Sequence, residues 1–144
     1  MMMVKSKFKI FPIVLISYLS ALPLLLIIVC LVSPKLNVIL AASVVLSIVV
    51  VFWMTILKSK SHSVEMSEDD ISVKRYFGLG ELVVYKYSKL DGFVTVMESA
   101  KGSVYETIFI LENGKRISCI SSFYHKNFEN LKLRLKENLV DLGE

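Results

Sequence analysis

Hydrophobic and polar positions divide the chain into three regimes. Ile10–Val32, "IFPIVLISYLSALPLLLIIVCLV", runs twenty-three residues without a charge, and Leu36–Leu57, "LNVILAASVVLSIVVVFWMTIL", is nearly as long. From His62 apolar and polar residues alternate, the period of a half-buried strand. After Phe123 the spacing becomes three-and-four, the period of a helix.

Each apolar run predicts a membrane-spanning helix. Twenty-three residues at about 1.5 Å of rise give roughly 34 Å, enough for a hydrocarbon core of about 30 Å. Buried helices of soluble cores seldom stay charge-free for so long, and a short chain has too little else to cover two of them. Lys5, Lys7 and Lys9 imitate the start of a cleavable signal peptide, but the run is too long and no small-x-small site precedes the second run. Only Ser33, Pro34 and Lys35 separate the runs, which forces an antiparallel hairpin. Pro23 is expected to kink the first helix, as lipid-embedded helices tolerate. Ser17, Ala21, Ser43 and Ser47 have small-xxx-small spacing, which is incidental in helices rich in serine and alanine.

Charge sets the expected orientation. Lys5, Lys7 and Lys9 precede the first run, Lys58 and Lys60 follow the second, and the loop holds only Lys35. The positive-inside rule puts both ends in the cytoplasm, where these five flanking lysines meet anionic headgroups. Trp53 is the expected interfacial anchor.

Six strands are predicted: His62–Met66, Ile71–Phe77, Glu81–Tyr87, Gly92–Glu98, Val104–Leu111 and Lys115–Ile120. "SEDD" and Gly78-Leu79-Gly80 read as turns, and Asn113-Gly114 is the strongest short-range hairpin signal because both residues accept positive φ. Brief turns throughout predict an antiparallel meander. Phe128, Leu131, Leu135, Leu139 and Leu142 form one apolar stripe, predicting a helix over about 123–141, capped by Ser121 or Ser122 and stopped near Gly143. Its stripe is expected to cover an open end of the curved sheet.

The formal charge of +4 is unevenly spread. Residues 1–57 hold four lysines and no acid; residues 58–144 hold thirteen Lys/Arg and thirteen Asp/Glu. A neutral domain offers no general attraction to phosphates, so the basic pI does not argue for nucleic-acid binding. Cys30 lies in an apolar run and Cys119 in a strand, so no disulfide framework is implied.

Chemistry-bearing residues are sparse. Lys74 and Arg75 are the candidate ligand contacts on the first hairpin, but Glu65, Glu68, Asp69 and Asp70 precede them and spoil a phosphate cradle. Gly78-x-Gly80 lacks the rest of a dinucleotide loop. Cys119 and His125 are a conceivable nucleophile and base, although a strand cysteine is more often packing. Two histidines and one cysteine fall short of a zinc set. Tyr76, Phe77, Tyr85, Tyr87, Phe93, Tyr105, Phe109, Phe123, Tyr124 and Phe128 exceed what one small core hides, so some, Tyr124 among them, are expected to line a groove or contact.

Six strands closing on one helix resemble a pleckstrin-homology-like (PH-like) domain. More specifically, the chain resembles small bacterial membrane proteins that carry such a domain directly after two transmembrane helices. The resemblance rests on "EDDISVKRYFG", "YKYSKLDGF" and "FILENGKRISCISSFYHKNFENLKLRL", and covers Lys58–Leu142 and the hairpin before it. It implies a membrane-anchored α+β protein: a basic cytoplasmic segment over 1–9, a transmembrane hairpin over 10–57, and over 58–144 a PH-like antiparallel sandwich or barrel. That family's fold has seven strands where six are visible here. The expected function is a non-enzymatic binding or scaffolding module at the cytoplasmic face of a bacterial inner membrane. Its partners would be the bilayer and a protein or a second copy of itself, with no cofactor and no nucleic acid. The alternatives are a small membrane enzyme with a site at the lipid-water boundary and an accessory subunit of a transport or secretion assembly.

Overall fold

The computed structural model describes residues 3–100 and 102–143. The chain forms two compact units. One is the stretch Ile10–Leu57; the other joins the segment through Lys9 to everything from Lys58 onward.

The first unit is a helical hairpin. Helix α1 spans Ile10–Val32, and α2 spans Leu36–Phe52 before continuing through a π turn, Trp53–Leu57. Both helices are long and apolar enough to cross a membrane, and only 11% and none of their most apolar windows are buried. Apolar side chains therefore face outward all round, unlike those of a soluble core helix. Pro23 lies inside α1, which stays helical through it. The Trp53 indole N–H donates to Ser20 Oγ across the hairpin at 3.0 Å. Ser43 and Ser47 instead donate to carbonyls one turn back in α2, Ile39 and Ser43, at 2.8 Å each. Their hydroxyls are satisfied within their own helix.

The second unit contains seven strands among the described residues, and the seventh lies where no periodicity marks it. Strand β1 is only Val4–Lys5, ahead of the hairpin. It pairs antiparallel with β2, Ser63–Met66, matching Val4 with Met66 and Lys5 with Glu65. Strand β3 (Asp70–Lys74) and β4 (Leu82–Lys86) complete a sheet of order β1-β2-β3-β4. Strands β5 (Gly92–Ala100), β6 (Ser103–Glu112) and β7 (Lys115–Ser121) form a separate three-stranded sheet. The result is two antiparallel sheets and no closed barrel.

Alternation fixes which faces are buried. In β2 and β3 the facing pairs Val64–Val73 and Met66–Ile71 are buried; Phe93, Ile108, Ile110 and Ile120 come from the second sheet. Helix α3, Phe128–Asn138, adds Phe128, Leu131 and Leu135 to the same cluster. Each large apolar side chain so buried contributes about 1.5–3 kcal/mol. The predicted hairpin turn is present: Asn113 and Gly114 both have positive φ, 51° and 73°.

Helix α3 is shorter than its apolar stripe at both ends. The backbone N–H groups of Tyr124 and His125 turn back to the Ser121 carbonyl, so the chain bends there before becoming helical. The N-cap is Asn127, not Ser121 or Ser122. Past the helix, Leu139 is extended, and residues 140–143 lie along the outer edge of β5. Phe93 N–H donates to Val140 O, Leu142 N–H to Phe93 O, and Thr95 N–H to Gly143 O. Gly92 permits this approach, since a Cβ there would lie 2.3 Å from the Val140 oxygen. Gly143 thus belongs to the strap and not to a helix cap.

The sequence reading begins this domain at residue 58, but six backbone and side-chain hydrogen bonds tie the segment before the hairpin into it. Ser6 N–H donates to Val64 O (2.7 Å), and Val64 N–H to Ser6 Oγ (2.8 Å). Lys7 N–H donates to Asn127 Oδ1, Asn127 Nδ2 to Lys5 O, Lys126 N–H to Lys7 O, and Lys9 N–H to Tyr124 O. At about 0.5–1.5 kcal/mol net each, these amount to several kcal/mol. A fragment starting at Lys58 should therefore be markedly less stable than one joining Met1–Lys9 to Lys58–Glu144 through a flexible Gly/Ser linker. Equal melting temperatures for the two fragments would show that the N-terminal strand is dispensable.

Candidate functional site

The segment before the hairpin, the chain after it, the β3–β4 loop and the β7–α3 turn all converge on two histidines. Both are buried, and each ring nitrogen has a backbone partner. His62 Nδ1 accepts from the Cys119 N–H at 3.0 Å, and its Nε2 lies 2.8 Å from the Lys58 carbonyl. His125 Nε2 lies 2.8 Å from the His62 carbonyl, and its Nδ1 is 3.2 Å from the Ser121 N–H and 3.0 Å from the Ser121 carbonyl. One neutral tautomer satisfies each ring: Nε2–H donates and Nδ1 accepts. Burial holds both pKa values below the ordinary 6.5, against hydrogen bonds to backbone carbonyls that pull them up. The Arg75 charge lowers that of His62 further.

Around the histidines runs a chain of aromatic edges. Phe8 packs on His125 (5.0 Å) and edge-on to Phe77 (4.8 Å); Phe77 meets Tyr124, Tyr124 meets Phe123, and Phe123 meets Tyr105. Tyr124, a candidate ligand contact from sequence, is buried between Phe77 and Phe123. Burial raises its hydroxyl pKa above the usual 10.0.

The β3–β4 loop is strained where it joins this cluster. Tyr76, Phe77 and Gly78 are consecutively left-handed, with φ of 50°, 55° and 92°. That region costs ordinary residues about 1–2 kcal/mol apiece. The Phe77 N–H donating to Ser61 O at 2.8 Å, together with the Phe8 ring, fixes the bend. It also ends β3 at Lys74, so Arg75 and Phe77 leave the strand face on which alternation puts them.

The other sequence candidates are dispersed. Lys5 faces Glu65 at 3.9 Å and Lys60 pairs with Glu98 at 2.8 Å, while Lys7, Lys9 and Lys58 are exposed. Trp53 uses its indole N–H inside the hairpin. Lys74 and Lys5 share a cavity of about 210 Å³ with Glu65; Arg75 and Lys58 share one of about 270 Å³ with Glu81. Each cavity combines two bases with an acid. The Cys119–His125 pair does not form a dyad: both His125 nitrogens face backbone groups, and burial pushes the Cys119 thiol up to about 12. Burial alone would raise the Glu98 pKa too, but the Lys60 ammonium and the Thr107 hydroxyl draw it below its usual 4.5.

Ser6, Phe8, His62 and His125 were missed as a group because they lie far apart in sequence and share no spacing. Only the presence of two isolated histidines, His62 between two serines and His125 between Tyr124 and Lys126, was available as a signal. No family model, curated protein or solved structure matches the chain.

The sign of the histidine effect is fixed. An unfolded chain takes up protons near pH 6.5, whereas the folded rings resist until lower pH, so stability is full above about 6.5 and falls as pH drops toward the folded values. Thermal melting of the full chain in detergent should decline between pH 7 and 5, well above the window of Glu98. A flat profile there would contradict neutral, bonded rings. His125→Ala, which orphans the His62 carbonyl and leaves a cavity, should destabilise by about 2–5 kcal/mol and flatten part of that slope.

Proposed function

We propose that this is an integral, multi-pass membrane protein whose hairpin anchors a PH-like domain at the cytoplasmic face of a bacterial inner membrane. There the domain acts as a non-enzymatic binding or scaffolding module. The observation that carries the reading is the pairing of β1 with β2 across the hairpin. Strands in one sheet share one compartment, so the chain must return to the side from which it entered. Two spans accomplish that, and one does not. The lysine distribution around the spans favours the cytoplasm as that side.

Support for a PH-like domain is the four-strand and three-strand pair of sheets with a C-terminal helix packed on their shared core. The seventh strand that the resemblance requires is then β1. Support for binding over catalysis is the commitment of both histidines and Cys119 to the interior. A protein partner, or a second copy, is favoured by β4. This strand ends its sheet and exposes three consecutive aliphatic residues, Leu82, Val83 and Val84, the kind of edge that pairs with another chain.

Topology labelling tests the anchor. With Cys30 and Cys119 replaced by serine and alanine, Lys35→Cys should react with a membrane-impermeant maleimide in intact cells. Lys7→Cys and Lys89→Cys should react only after permeabilisation. Opposite behaviour of the last two would sink the reading. Crosslinking through Val84→Cys, followed by capture from solubilised membranes, should recover either a dimer or a distinct protein. Recovery of monomer alone would remove the partner from the proposal.

A further inference from the structure

The strands of the β unit run up and down, so its turns fall at two ends. One end carries Ser67–Asp70, Tyr87–Asp91 and Glu112–Lys115. The other carries Lys9, Lys58–Ser61, the Arg75–Gly80 loop and the Phe123–Lys126 turn, tied together by the Lys9–Tyr124 and Phe77–Ser61 backbone bonds. Chain connectivity distinguishes the ends. Lys9 is followed at once by Ile10, the first residue of α1, and Lys58 directly follows Leu57, the last of the apolar run. No linker intervenes on either side.

The ends differ in chemistry as well. The end that carries no connection to the helices has five acids (Glu68, Asp69, Asp70, Asp91, Glu112) against Lys86, Lys89 and Lys115. At the other, Lys9, Lys58, Arg75 and Lys126 are exposed; the nearby acids are Glu81, which lines a cavity with Lys58 and Arg75, Glu129, which lines one with Lys9 and Lys126, and Glu98, paired with Lys60. The unit as a whole is not neutral, because Lys5, Lys7 and Lys9 join a balanced thirteen and thirteen, giving +3. On the basic end lies Leu79, 85% exposed, more than any large apolar residue of either long helix. The loop that presents it is bent through three left-handed residues and fixed to Phe8 and Ser61, which lie two residues before Ile10 and four after Leu57. An exposed leucine on an end that also carries exposed bases, on a short tether, fits one surface: the boundary between anionic headgroups and acyl chains.

We propose that the Arg75–Gly80 loop is a lipid-contacting element, with Leu79 inserted at the headgroup boundary and Lys9, Lys58, Arg75 and Lys126 against lipid phosphates. The inference rests on the hairpin spanning the bilayer, and the test separates the two. The full chain carrying Trp53→Phe is reconstituted in vesicles of phosphatidylcholine and phosphatidylglycerol, with single tryptophans introduced as Leu79→Trp, Leu24→Trp or Ser88→Trp. Circular dichroism checks the fold of each variant. Lipids brominated near the headgroup should quench Leu79→Trp strongly, those brominated deep in the acyl chain should quench Leu24→Trp, and neither should quench Ser88→Trp. Aqueous acrylamide should show the reverse order for Leu79→Trp and Ser88→Trp. If Leu79→Trp behaves like Ser88→Trp while Leu24→Trp is quenched, the span stands and the loop proposal falls, leaving Leu79 to a protein partner. If Leu24→Trp is also unquenched, the spanning reading fails and takes the loop proposal with it.

Discussion

A two-residue strand ahead of the apolar hairpin governs the rest of the structure. Val4 and Lys5 alone could not hold a sheet edge, since short isolated pairings are marginal in water. Ser6, Lys7 and Lys9 extend the attachment with hydrogen bonds to Val64, Asn127, Lys126 and Tyr124. The segment thereby sews the start of the first sheet to the β7–α3 turn, two regions that otherwise meet only through side chains. Closing a loop as long as the hairpin costs little more entropy than closing one half its length, because the penalty grows only logarithmically. Forty-eight intervening residues are therefore no obstacle to this pairing, particularly when they form a structure of their own.

The buried histidines sit where this closure is made. A polar group in such a position is expensive unless every donor and acceptor is met, and imidazole can meet two backbone groups from one rigid ring. His62 joins β7 to the residues just after the hairpin, through Cys119 N–H and Lys58 O; His125 joins the β7–α3 turn to His62 itself. The rings act as neutral cross-braces, and that occupation is why the residues best suited to catalysis have no free nitrogen to offer.

What was legible in the sequence follows from range. The two apolar runs, the Asn113-Gly114 hairpin and the alternation in β2, β3 and β6 are local patterns, and the structure keeps them. The C-terminal end of α3 differs because its apolar stripe continues into Leu139, which packs on the core from extended backbone, and Leu142, half-exposed on the strap beside β5; apolar spacing cannot distinguish a fourth helical turn from a strand edge. Strand β1 carries no period in two residues and finds its partner some sixty positions away. The loop at Tyr76 was invisible for another reason. Two aromatic residues with positive φ contradict local preference, and only the contacts of Phe8 and Ser61 make that bend affordable.

Including the N-terminal segment in the folded unit changes the electrostatic argument as well as the strand count. Read from residue 58, the domain is balanced and gives no reason to favour any charged surface. Read with Lys5, Lys7 and Lys9, it carries an excess that enters where the chain leaves for the hairpin. Of the three, Lys9 adjoins the first apolar helix directly, whereas Lys5 lies back along β1 beside Glu65; on the proposed membrane reading it is therefore the Lys9 charge that stands nearest the headgroups, where it is least screened. On the proposed reading, a domain polarised in this way gains from facing lipid with one end only, and the edge strand β4, with Leu82, Val83 and Val84 exposed, is left as the sheet surface proposed to meet another protein.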